Sequence, residues 1–384
     1  SNLTSGKFQK YETEGLNILK GLRPDIVAVQ EFNYGNSSND DIRVMVDEAF
    51  GPQFYYYREP YRGNYPIPNG VISRWPIVEA GYWEDPNPNL NQRGFVWSQI
   101  DIPGENDLFV VSIHFKASSG LTNEAQRALE SEILKSLIMS NFPASSLIIV
   151  AGDFNLHSDD EYAYTNLLTF LSDSPTPVDN HGNRNTNAKR VSWYDHVLFS
   201  SNMASMLTAV EMPSHSFSNG LVFDSRVYTP LSDAPPVTIG DSAVTNMQHM
   251  AVVRDYRFTH TKTVDILPPT ITEQPSDLRV DQSAPATFSV AASGGDPLAY
   301  RWQKYGLYIA GMTNRQLHFD NVQPADLGQY RAIVANAMGV VTSETVMLNL
   351  VVPAPEISII SPTELAWIGL SNLNYSVQGC TNLT

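Results

Sequence analysis

The chain has 384 residues, with 24 Lys and Arg against 40 Asp and Glu, so its formal net charge is −16 at pH 7. Residues 1–262 carry 19 basic and 30 acidic side chains, and residues 263–384 carry 5 and 10. Both parts are acidic, which excludes the broad basic surface that drives sequence-independent binding to duplex DNA. The single cysteine, Cys380, excludes an internal disulfide and a cysteine metal cluster.

Helices and strands alternate along the first two thirds of the chain. Leucines with helical spacing predict a helix before Pro24, and a strand follows at 26–29. Further strands are predicted at 69–77, 93–102 and 108–115, then a helix at 123–142 and a strand that begins at 147. Strands with helices between them are typical of an α/β or α+β domain built from layers of sheet and helix.

From about residue 263 the helical periodicity disappears, and short strands alternate with turns. The stretches "FSVAASGGDPLAYRW" and "ADLGQYRAIVANAMG" resemble an immunoglobulin-like domain. The resemblance implies that Trp302 is the buried tryptophan of that fold, that Tyr330 forms its tyrosine corner, and that Val290 and Ala332 occupy the two disulfide positions.

We therefore predict three segments: a first domain at 1–262, an immunoglobulin-like domain at 263–352, and at 353–384 a linker with the start of an incomplete third unit. No stretch approaches the ~18 consecutive apolar residues of a membrane span. The chain starts without a first strand and stops without a terminating signal. We expect it to be part of a longer protein, with Ser1 and Asn2 a candidate cloning remnant.

Polar residues recur at the ends of the predicted strands. They are Glu31 in "VQEF", His114 in "SIHF", Asp153 and Asn155 in "AGDFN", Asp195 in "YDHVLF" and His249 in "NMQHMAVV". Each alone has an ordinary structural explanation, since a glutamate after a strand is usually a cap and a histidine among methionines is more often a core residue. Their occurrence together indicates a site at one edge of a sheet.

The segments "PDIVAVQE", "NGVISRWPI", "SIHFKAS", "AGDFN" and "YDHVLFS", in this order, resemble the endonuclease/exonuclease/phosphatase superfamily. That superfamily includes DNase I-like nucleases, exonuclease III-like repair enzymes, neutral sphingomyelinases and inositol-polyphosphate phosphatases. The resemblance implies a four-layer α/β sandwich in the first domain, with two packed sheets flanked by helices and the site at one edge.

The resemblance also implies roles for the polar residues. Glu31 would hold a divalent ion, and an oxygen ligand of this kind suits Mg²⁺ or Mn²⁺. Asp153 would orient or deprotonate water, and Asn155 would donate to a phosphoryl oxygen. His249 would stabilise the transition state and be oriented by Asp195.

Three further residues enter through the same resemblance. His114 would act near the leaving group, with Glu59 as its carboxylate partner. The alternative for Glu59 is a surface carboxylate paired with Arg58 or Arg62. Asn2 is a candidate metal ligand.

One position departs from the family pattern, because Met247, Gln248 and His249 stand where the family usually has Ser-Asp-His. Gln248 offers a carbonyl oxygen, which is a weaker ligand for a hard cation than a carboxylate. We expect an altered activity or a requirement for more metal.

The leading interpretation is a metal-dependent phosphodiester hydrolase with an accessory immunoglobulin-like module. One alternative is a binding or adhesion protein that has lost catalysis, and another is a member directed at phospholipids or phosphomonoesters. A local basic strip could contact substrate phosphates, and its residues are Arg58, Arg62, Arg74, Arg93 and Lys116. We expect an exported protein whose immunoglobulin-like domain contacts a cell surface or polysaccharide.

Overall fold

The computed structural model describes residues 13–60, 67–84, 93–104, 106–245, 247–258 and 267–351, together with the backbone of two strands beyond these. The chain divides into two compact units, and the boundary lies at Pro269 except that the short segments Gly294–Ala299 and Val334–Val340 group with the first unit. The predicted metal ligand Asn2 and the basic residue Arg62 lie outside the described residues.

The first unit contains four α-helices and fifteen strands among its described residues. The helices are α1 (Thr13–Leu22), α2 (Asn39–Phe50), α3 (Leu121–Asn141) and α4 (Tyr162–Leu167). The strands are β1 (Ile26–Val29), β2 (Tyr55–Arg58), β3 (Gly70–Ser73), β4 (Ile77–Trp83), β5 (Phe95–Ile100), β6 (Leu108–His114), β7 (Leu147–Asp153), β8 (Leu171–Ser172), β9 (Asp195–Ser200), β10 (Leu207–Thr208), β11 (Val210–Met212), β12 (His215–Phe217), β13 (Leu221–Phe223), β14 (Ala251–Val253) and β15 (Asp255–Tyr256).

Two sheets form the centre of this unit. One has six strands in the order β4-β5-β6-β7-β9-β8, with β6 and β7 parallel and the other pairs antiparallel. The other has three strands in the order β1-β3-β2. The small pairs β13-β14, β11-β12 and β10-β15 accompany them.

Successive side chains of a strand lie on opposite faces of its sheet, and the two faces pack into different hydrophobic cores. On β6, Leu108 and Val110 pack with Ala28 of β1 between the two sheets, whereas Val111 and Ile113 pack toward α3 and α4. In the three-stranded sheet, the opposite face of β1 packs against α1 and α2. The layers are therefore helix, sheet, sheet and helix, and the predicted four-layer sandwich is confirmed.

Local sequence signals explain where the helices begin and end. α1 stops ahead of Pro24, which cannot continue a helix. The side chain of Ser38 caps α2 by accepting the backbone N–H of Asp41, and Gly51 ends that helix at a φ of 100°.

One predicted strand is wrong in its extent. The segment 69–77 is not a single strand, because β3 ends at Ser73 and β4 begins at Ile77 in the other sheet. Pro76 lies at the break, where it has no N–H to offer to a ladder.

The second unit consists of strands and short turns. Its strands are β16 (Thr270–Glu273), β17 (Leu278–Val280), β18 (Ala286–Ser289), β19 (Ala291–Ser293), β20 (Ala299–Lys304), β21 (Leu307–Tyr308), β22 (Gln316–Phe319), β23 (Gly328–Asn336), β24 (Gly339–Thr342) and β25 (Val346–Leu350). One sheet has the order β17-β25-β23-β20-β21, with β24 also paired to β23, and the pairs β18-β22 and β16-β19 form the rest.

The core of this unit has the features that the sequence predicts for an immunoglobulin-like sandwich. Trp302 is fully buried and its ring stacks with Phe288 at a centroid distance of 6.0 Å. The Tyr330 hydroxyl donates to the carbonyl of Asp326, four residues upstream, as a tyrosine corner does. Val290 and Ala332 are both buried, so apolar packing replaces the disulfide.

A hairpin of β26 (Glu356–Ser361) and β27 (Glu364–Ile368) follows β25 along the chain. Among the described helices, none combines the length and the apolar composition needed to cross a bilayer.

Candidate active site

Three of the predicted site residues lie in one row across β6, β7 and β9. His114 is the register partner of Asp153, and Asp153 is the register partner of Asp195. Their positions share the alternation of Val110 and Phe199, which pack between the two sheets. The three side chains therefore project toward the second sheet, at the end of the core that the sheets enclose.

Asp195 differs from the expectation that each of these residues lies at the end of its strand. β7 ends at Asp153, whereas β9 begins at Asp195. Because β7 and β9 are antiparallel, the end of one lies beside the start of the other, and both carboxylates reach the same edge.

His249 completes the row from the loop before β14. Its Nδ1 lies 2.7 Å from Asp195 Oδ2, and its Nε2 lies 3.6 Å from Asp153 Oδ2. On the other side, His114 Nε2 lies 3.4 Å from the same Asp153 oxygen. Asp153 is thus placed between two imidazoles, and all four side chains are buried.

The two imidazoles have opposite shifts in pKa. Burial lowers the pKa of His249, but the negative charges of Asp195, Asp153 and Glu31 together raise it to about 9. Burial also lowers the pKa of His114, and the positive charges of Arg93 and His249 hold it well below 6.5. At neutral pH His249 is therefore an imidazolium and His114 is a neutral imidazole.

The pKa of Asp153 is raised to about 6, because burial disfavours its charged form. The positive charge of His249 opposes this effect, and the negative charge of Asp195 adds to it. Asp153 Oδ1 accepts the backbone N–H of Asn155 at 2.9 Å, so Oδ2 is the oxygen that faces both imidazoles. A carboxylate with a raised pKa is suited to accept a proton near neutral pH.

Glu31 lies directly beyond β1, buried and with a left-handed backbone at a φ of 52°. Its negative charge contributes to the raised pKa of His249. Gln248 is exposed, and its backbone carbonyl accepts the N–H of Ala188 at 2.7 Å. The structure thus places Glu31 near enough for its charge to affect His249, and it places the side chain of Gln248 at the surface.

Asn155 follows Asp153 with a φ of 51° and is also buried. Its Nδ2 donates to the carbonyl of Phe115 at 3.0 Å. One amide hydrogen is therefore used to join the loop after β7 to the loop after β6, and the second hydrogen is the one available for a phosphoryl oxygen.

Glu59 lies directly after β2. It is buried rather than at the surface, and its two oxygens accept the backbone N–H groups of Asn69 at 2.8 Å and Gly94 at 2.9 Å. A Cβ at position 94 would lie 2.5 Å from Glu59 Oε2, so the glycine permits this contact. The carboxylate that the structure places 3.4 Å from His114 Nε2 is Asp153.

A buried ion pair holds the two loops beside the site. Arg127 of α3 makes a bidentate contact with Glu161, at 2.7 and 2.8 Å, and donates to the carbonyls of Lys116 and Ser118. Glu161 also accepts the backbone N–H of His157 at 2.7 Å. The loop after His114 and the loop after Asn155 are therefore fixed by one guanidinium and one carboxylate.

The basic strip is only partly available to a substrate. Arg58 donates to the carbonyls of Phe32 and Ser37, and Arg74 pairs with Asp25 at 3.1 Å. Arg93 is half-buried and its charge acts on both His114 and Asp153. Of the described members of the strip, Arg93 is the one whose positive charge affects the pKa values of His114 and Asp153.

Several residues at the site were not found by sequence reasoning. Gln30 donates to the buried Ser112 hydroxyl at 3.0 Å, which ties the strand before Glu31 to the strand that carries His114. The Tyr194 ring lies 6.0 Å from the ring of His249. A polar Ser112 at a core-facing position of an apolar strand was a usable signal, whereas Tyr194 lies in a turn-rich segment with no periodic pattern.

The cluster offers ligands for a hard cation. Asp153, Asp195 and His249 place ligand atoms within 4.8 Å of one another. Both nitrogens of His249 face carboxylates, and its raised pKa keeps it protonated, so the carboxylates are the better ligands. Asp195 Oδ1 is buried with no hydrogen-bond partner among the described residues. Such an oxygen, together with Glu31, fits a divalent ion that prefers oxygen ligands.

A four-layer α/β sandwich with buried carboxylates and imidazoles at one edge of its sheets is the architecture of endonuclease/exonuclease/phosphatase domains. The chain belongs to the Endonuclease/Exonuclease/phosphatase family, whose model matches residues 16–233. An Immunoglobulin I-set domain model matches residues 269–349. The family is one of hydrolases that use a divalent metal, and the domain implies a phosphoester substrate.

Solved structures resemble both parts of the chain. An endonuclease/exonuclease/phosphatase from Beutenbergia cavernae DSM 12333 is 16% identical, with 87% of this chain and 93% of that chain covered and a TM-score of 0.45. The titin M3 domain is 21% identical over 22% of this chain and 97% of its own, with a TM-score of 0.20. Immunoglobulin domains 1–5 of Sidekick-1 are 20% identical over 26% of this chain and 22% of theirs, with a TM-score of 0.21. No curated protein matches the chain.

Proposed function

We propose that the chain is a phosphodiester hydrolase that depends on Mg²⁺ or Mn²⁺. The observation that carries this proposal is the charge pattern of the buried row. A protonated His249 and a neutral His114 flank Asp153, whose pKa lies near neutrality. Hydrolysis of a phosphoester needs a proton acceptor for water and a positive group for the phosphoryl oxygens, and this row supplies both.

Each residue has a role that follows from its contacts. Asp153 accepts the proton of the attacking water through Oδ2, because Oδ1 is occupied by the N–H of Asn155. His249 donates Nε2–H to a phosphoryl oxygen, while Asp195 holds Nδ1 and stabilises the imidazolium. The free amide hydrogen of Asn155 supports a second phosphoryl oxygen, and neutral His114 lies near the leaving group.

The metal would be held by carboxylate oxygens of Glu31 and its neighbours in the cluster. When bound, such an ion neutralises charge on the phosphoryl oxygens and lowers the pKa of nearby water. Among the described residues of the basic strip, Arg93 is the one whose charge acts on His114 and Asp153, which favours a substrate with a small charge over an extended duplex. A diester carries one negative charge at the reacting group, in agreement with this limited positive charge.

The second unit is proposed as an accessory module that contacts a cell surface or polysaccharide, and the chain as an exported protein. The support is an association, since immunoglobulin-like modules joined to hydrolases are typical of extracellular proteins.

The exposed Gln248 favours the second candidate, a binding or adhesion protein with impaired catalysis, because it removes the carboxylate of the family pattern. A comparison of substrates separates the candidates. The full chain is assayed with Mg²⁺ or Mn²⁺ on a chromogenic diester, a chromogenic monoester, single-stranded nucleic acid, duplex DNA and phospholipid vesicles. His249→Ala is the control for contaminating enzymes.

The proposal predicts hydrolysis of a diester faster than of the monoester, with the activity lost in His249→Ala. A faster monoester reaction would assign the chain to phosphatases. Absence of hydrolysis of every substrate by a folded chain that binds the metal would favour the binding protein.

A further inference from the structure

One buried threonine contacts the backbone of Asp195 and of Met250, the residue after His249. Thr186 lies in the segment 179–194 before β9 and is fully buried. Its Oγ1 accepts the backbone N–H of Asp195 at 2.9 Å and that of Tyr194 at 3.0 Å. A hydroxyl has two acceptor lone pairs, and here one accepts from Asp195, the first residue of β9, and the other from Tyr194 before it.

The backbone around Thr186 fixes the other half of the pair. The carbonyl of Thr186 accepts the N–H of Met250 at 2.7 Å, and Asn187 forms an antiparallel bridge with His249. The N–H of Ala188 donates to the carbonyl of Gln248 at 2.7 Å. The segment therefore runs beside the His249 loop as a short extra strand, while its threonine hydroxyl holds Asp195.

Ion pairs anchor this segment to the rest of the unit. Arg190 contacts Asp179 at 2.6 Å and Asp224 at 3.2 Å, and both carboxylates are buried. Arg226 also pairs with Asp224 at 2.7 Å and donates to the carbonyl of Ala188 at 2.9 Å. Charged hydrogen bonds of this kind restrict movement, so the position of the threonine is set from both sides.

We propose that Thr186 is a positioning residue for hydrolysis, which sets the contact between Asp195 Oδ2 and His249 Nδ1. This inference rests on the function proposed above. The two residues come from segments 54 positions apart, so their side-chain contact depends on how these segments are aligned. Catalytic groups must be held within about 0.5 Å of their working geometry. Thr186 is one residue that binds the backbone on both sides of that contact.

The test compares two substitutions of Thr186 in the full chain. Thr186→Val keeps the shape but removes the acceptor, so the buried N–H groups of Asp195 and Tyr194 lose their partner. We expect kcat to fall by about 10- to 100-fold with KM within about threefold, because positioning acts on the reacting state. Thr186→Ser keeps the hydroxyl and is expected to remain within about threefold of the wild-type kcat.

A matched control lies at the other end of the same strand. The Ser200 hydroxyl accepts the backbone N–H of Ile148 at 3.0 Å, so Ser200→Ala also removes an acceptor from a buried N–H. It is expected to lower the melting temperature without a change in kcat. If Thr186→Val does not fold, Thr186→Cys replaces it, since a thiol is a weak acceptor.

A spectroscopic measurement tests the inference without hydrolysis. In chain labelled with ¹⁵N-histidine, the downfield proton of His249 Nδ1–H reports its hydrogen bond to Asp195. The resonance is expected to shift upfield or broaden in Thr186→Val and to persist in Thr186→Ser and Ser200→Ala. If the wild type hydrolyses nothing, the proposed function fails while this resonance still tests the alignment. A folded Thr186→Val with the wild-type resonance and the wild-type kcat would overturn the inference.

Discussion

Asp153 lies between two buried imidazoles that differ in charge. His249 is protonated because three carboxylates outweigh the effect of its burial, and His114 is neutral because burial and nearby positive charge act in the same direction. In the proposed reaction, Asp153 therefore accepts a proton between one positively charged and one neutral imidazole. At the residue scale, the proposed chemistry depends on these three charge states.

Asp153→Asn is expected to lower kcat by ~10² to 10⁴, because it removes the proton acceptor. The folded-state pKa of Asp153, about 6, exceeds its usual 3.8. The protonated form of Asp153 stabilises the fold. This contribution to stability is complete below pH 3.8 and is lost as the pH rises through about 6. At pH 8 the buried charge destabilises the metal-free fold, and the asparagine variant should be more stable by about 1 to 3 kcal/mol.

Melting temperatures of metal-free wild type and Asp153→Asn at pH 5 and pH 8, with hydrolysis rates measured beside them, check this prediction. The higher melting temperature of Asp153→Asn should appear mainly at pH 8. Asp160→Asn, at an exposed site in the following loop, is the control. A less stable but fully active Asp153→Asn would show that the carboxylate only caps the loop.

Asp195→Asn is expected to move the basic limb of the kcat profile to lower pH by about 1 to 3 units. His249 contributes through its protonated form, so activity should fall as the pH rises through its pKa of about 9. Without the charge of Asp195, burial lowers that pKa. A pH profile of kcat checks the shift, with the NMR titration of His249 as an independent record. An unchanged basic limb would show that the fall in activity at high pH does not come from deprotonation of His249.

At the element scale, much of the arrangement could be predicted from sequence because strand alternation and strand ends are local signals. The apolar runs of β1, β6 and β7 place Glu31, His114 and Asp153 at one edge without knowledge of the fold. Asp195 and His249 also have recognisable motifs. The split of 69–77 between two sheets was not predictable from its apolar pattern, since both halves have strand character.

Contacts between segments that are far apart along the chain could not be predicted from the sequence. Glu59 binds the N–H groups of Asn69 and Gly94, ten and 35 positions away, and neither neighbour has a distinctive motif. Thr186 lies in a turn-rich stretch without periodicity, so its contact with Asp195 becomes visible only in three dimensions. Residues that support a site are harder to predict than residues at strand ends for this reason.

Arg127→Met is expected to lower the free energy of unfolding by about 3 to 5 kcal/mol, because it leaves the buried Glu161 carboxylate without its partner. It should also reduce activity, since the loops after His114 and Asn155 lose their common anchor. Urea unfolding of the full chain measures the loss. Lys135→Met on the same helix is the control, and it should cost less than about 1 kcal/mol because Lys135 is half-buried and one of its two partners, Thr169, is exposed. Equal losses in the two variants would contradict the anchoring role.

At the scale of the whole molecule, the two units have separate cores. Buried Trp302 in the second unit donates to the carbonyl of Asn314 at 3.0 Å and packs on Phe288. Its core contains no disulfide, because the chain has one cysteine. The stability of this unit therefore rests on packing, which a single substitution can test.

Trp302→Ala is expected to destabilise the second unit by about 3 to 5 kcal/mol through loss of apolar burial. The hydrolysis rate on a small diester should stay within about twofold of the wild type, because all proposed site residues belong to the first unit. Calorimetry of the full chain, with rates measured below the first transition, checks both statements. A large loss of rate at a temperature where the first unit is intact would show that the second unit contributes to the reaction.

The metal dependence of diester hydrolysis tests the central claim most directly. The initial rate of the full chain is measured with excess EDTA and then after restoration with Mg²⁺, Mn²⁺ or Zn²⁺. The oxygen ligands of the cluster predict that EDTA abolishes hydrolysis and that Mg²⁺ or Mn²⁺ restores it, at a higher concentration if the exposed Gln248 weakens the site. Hydrolysis that survives EDTA, or that Zn²⁺ alone restores in full, would contradict the account.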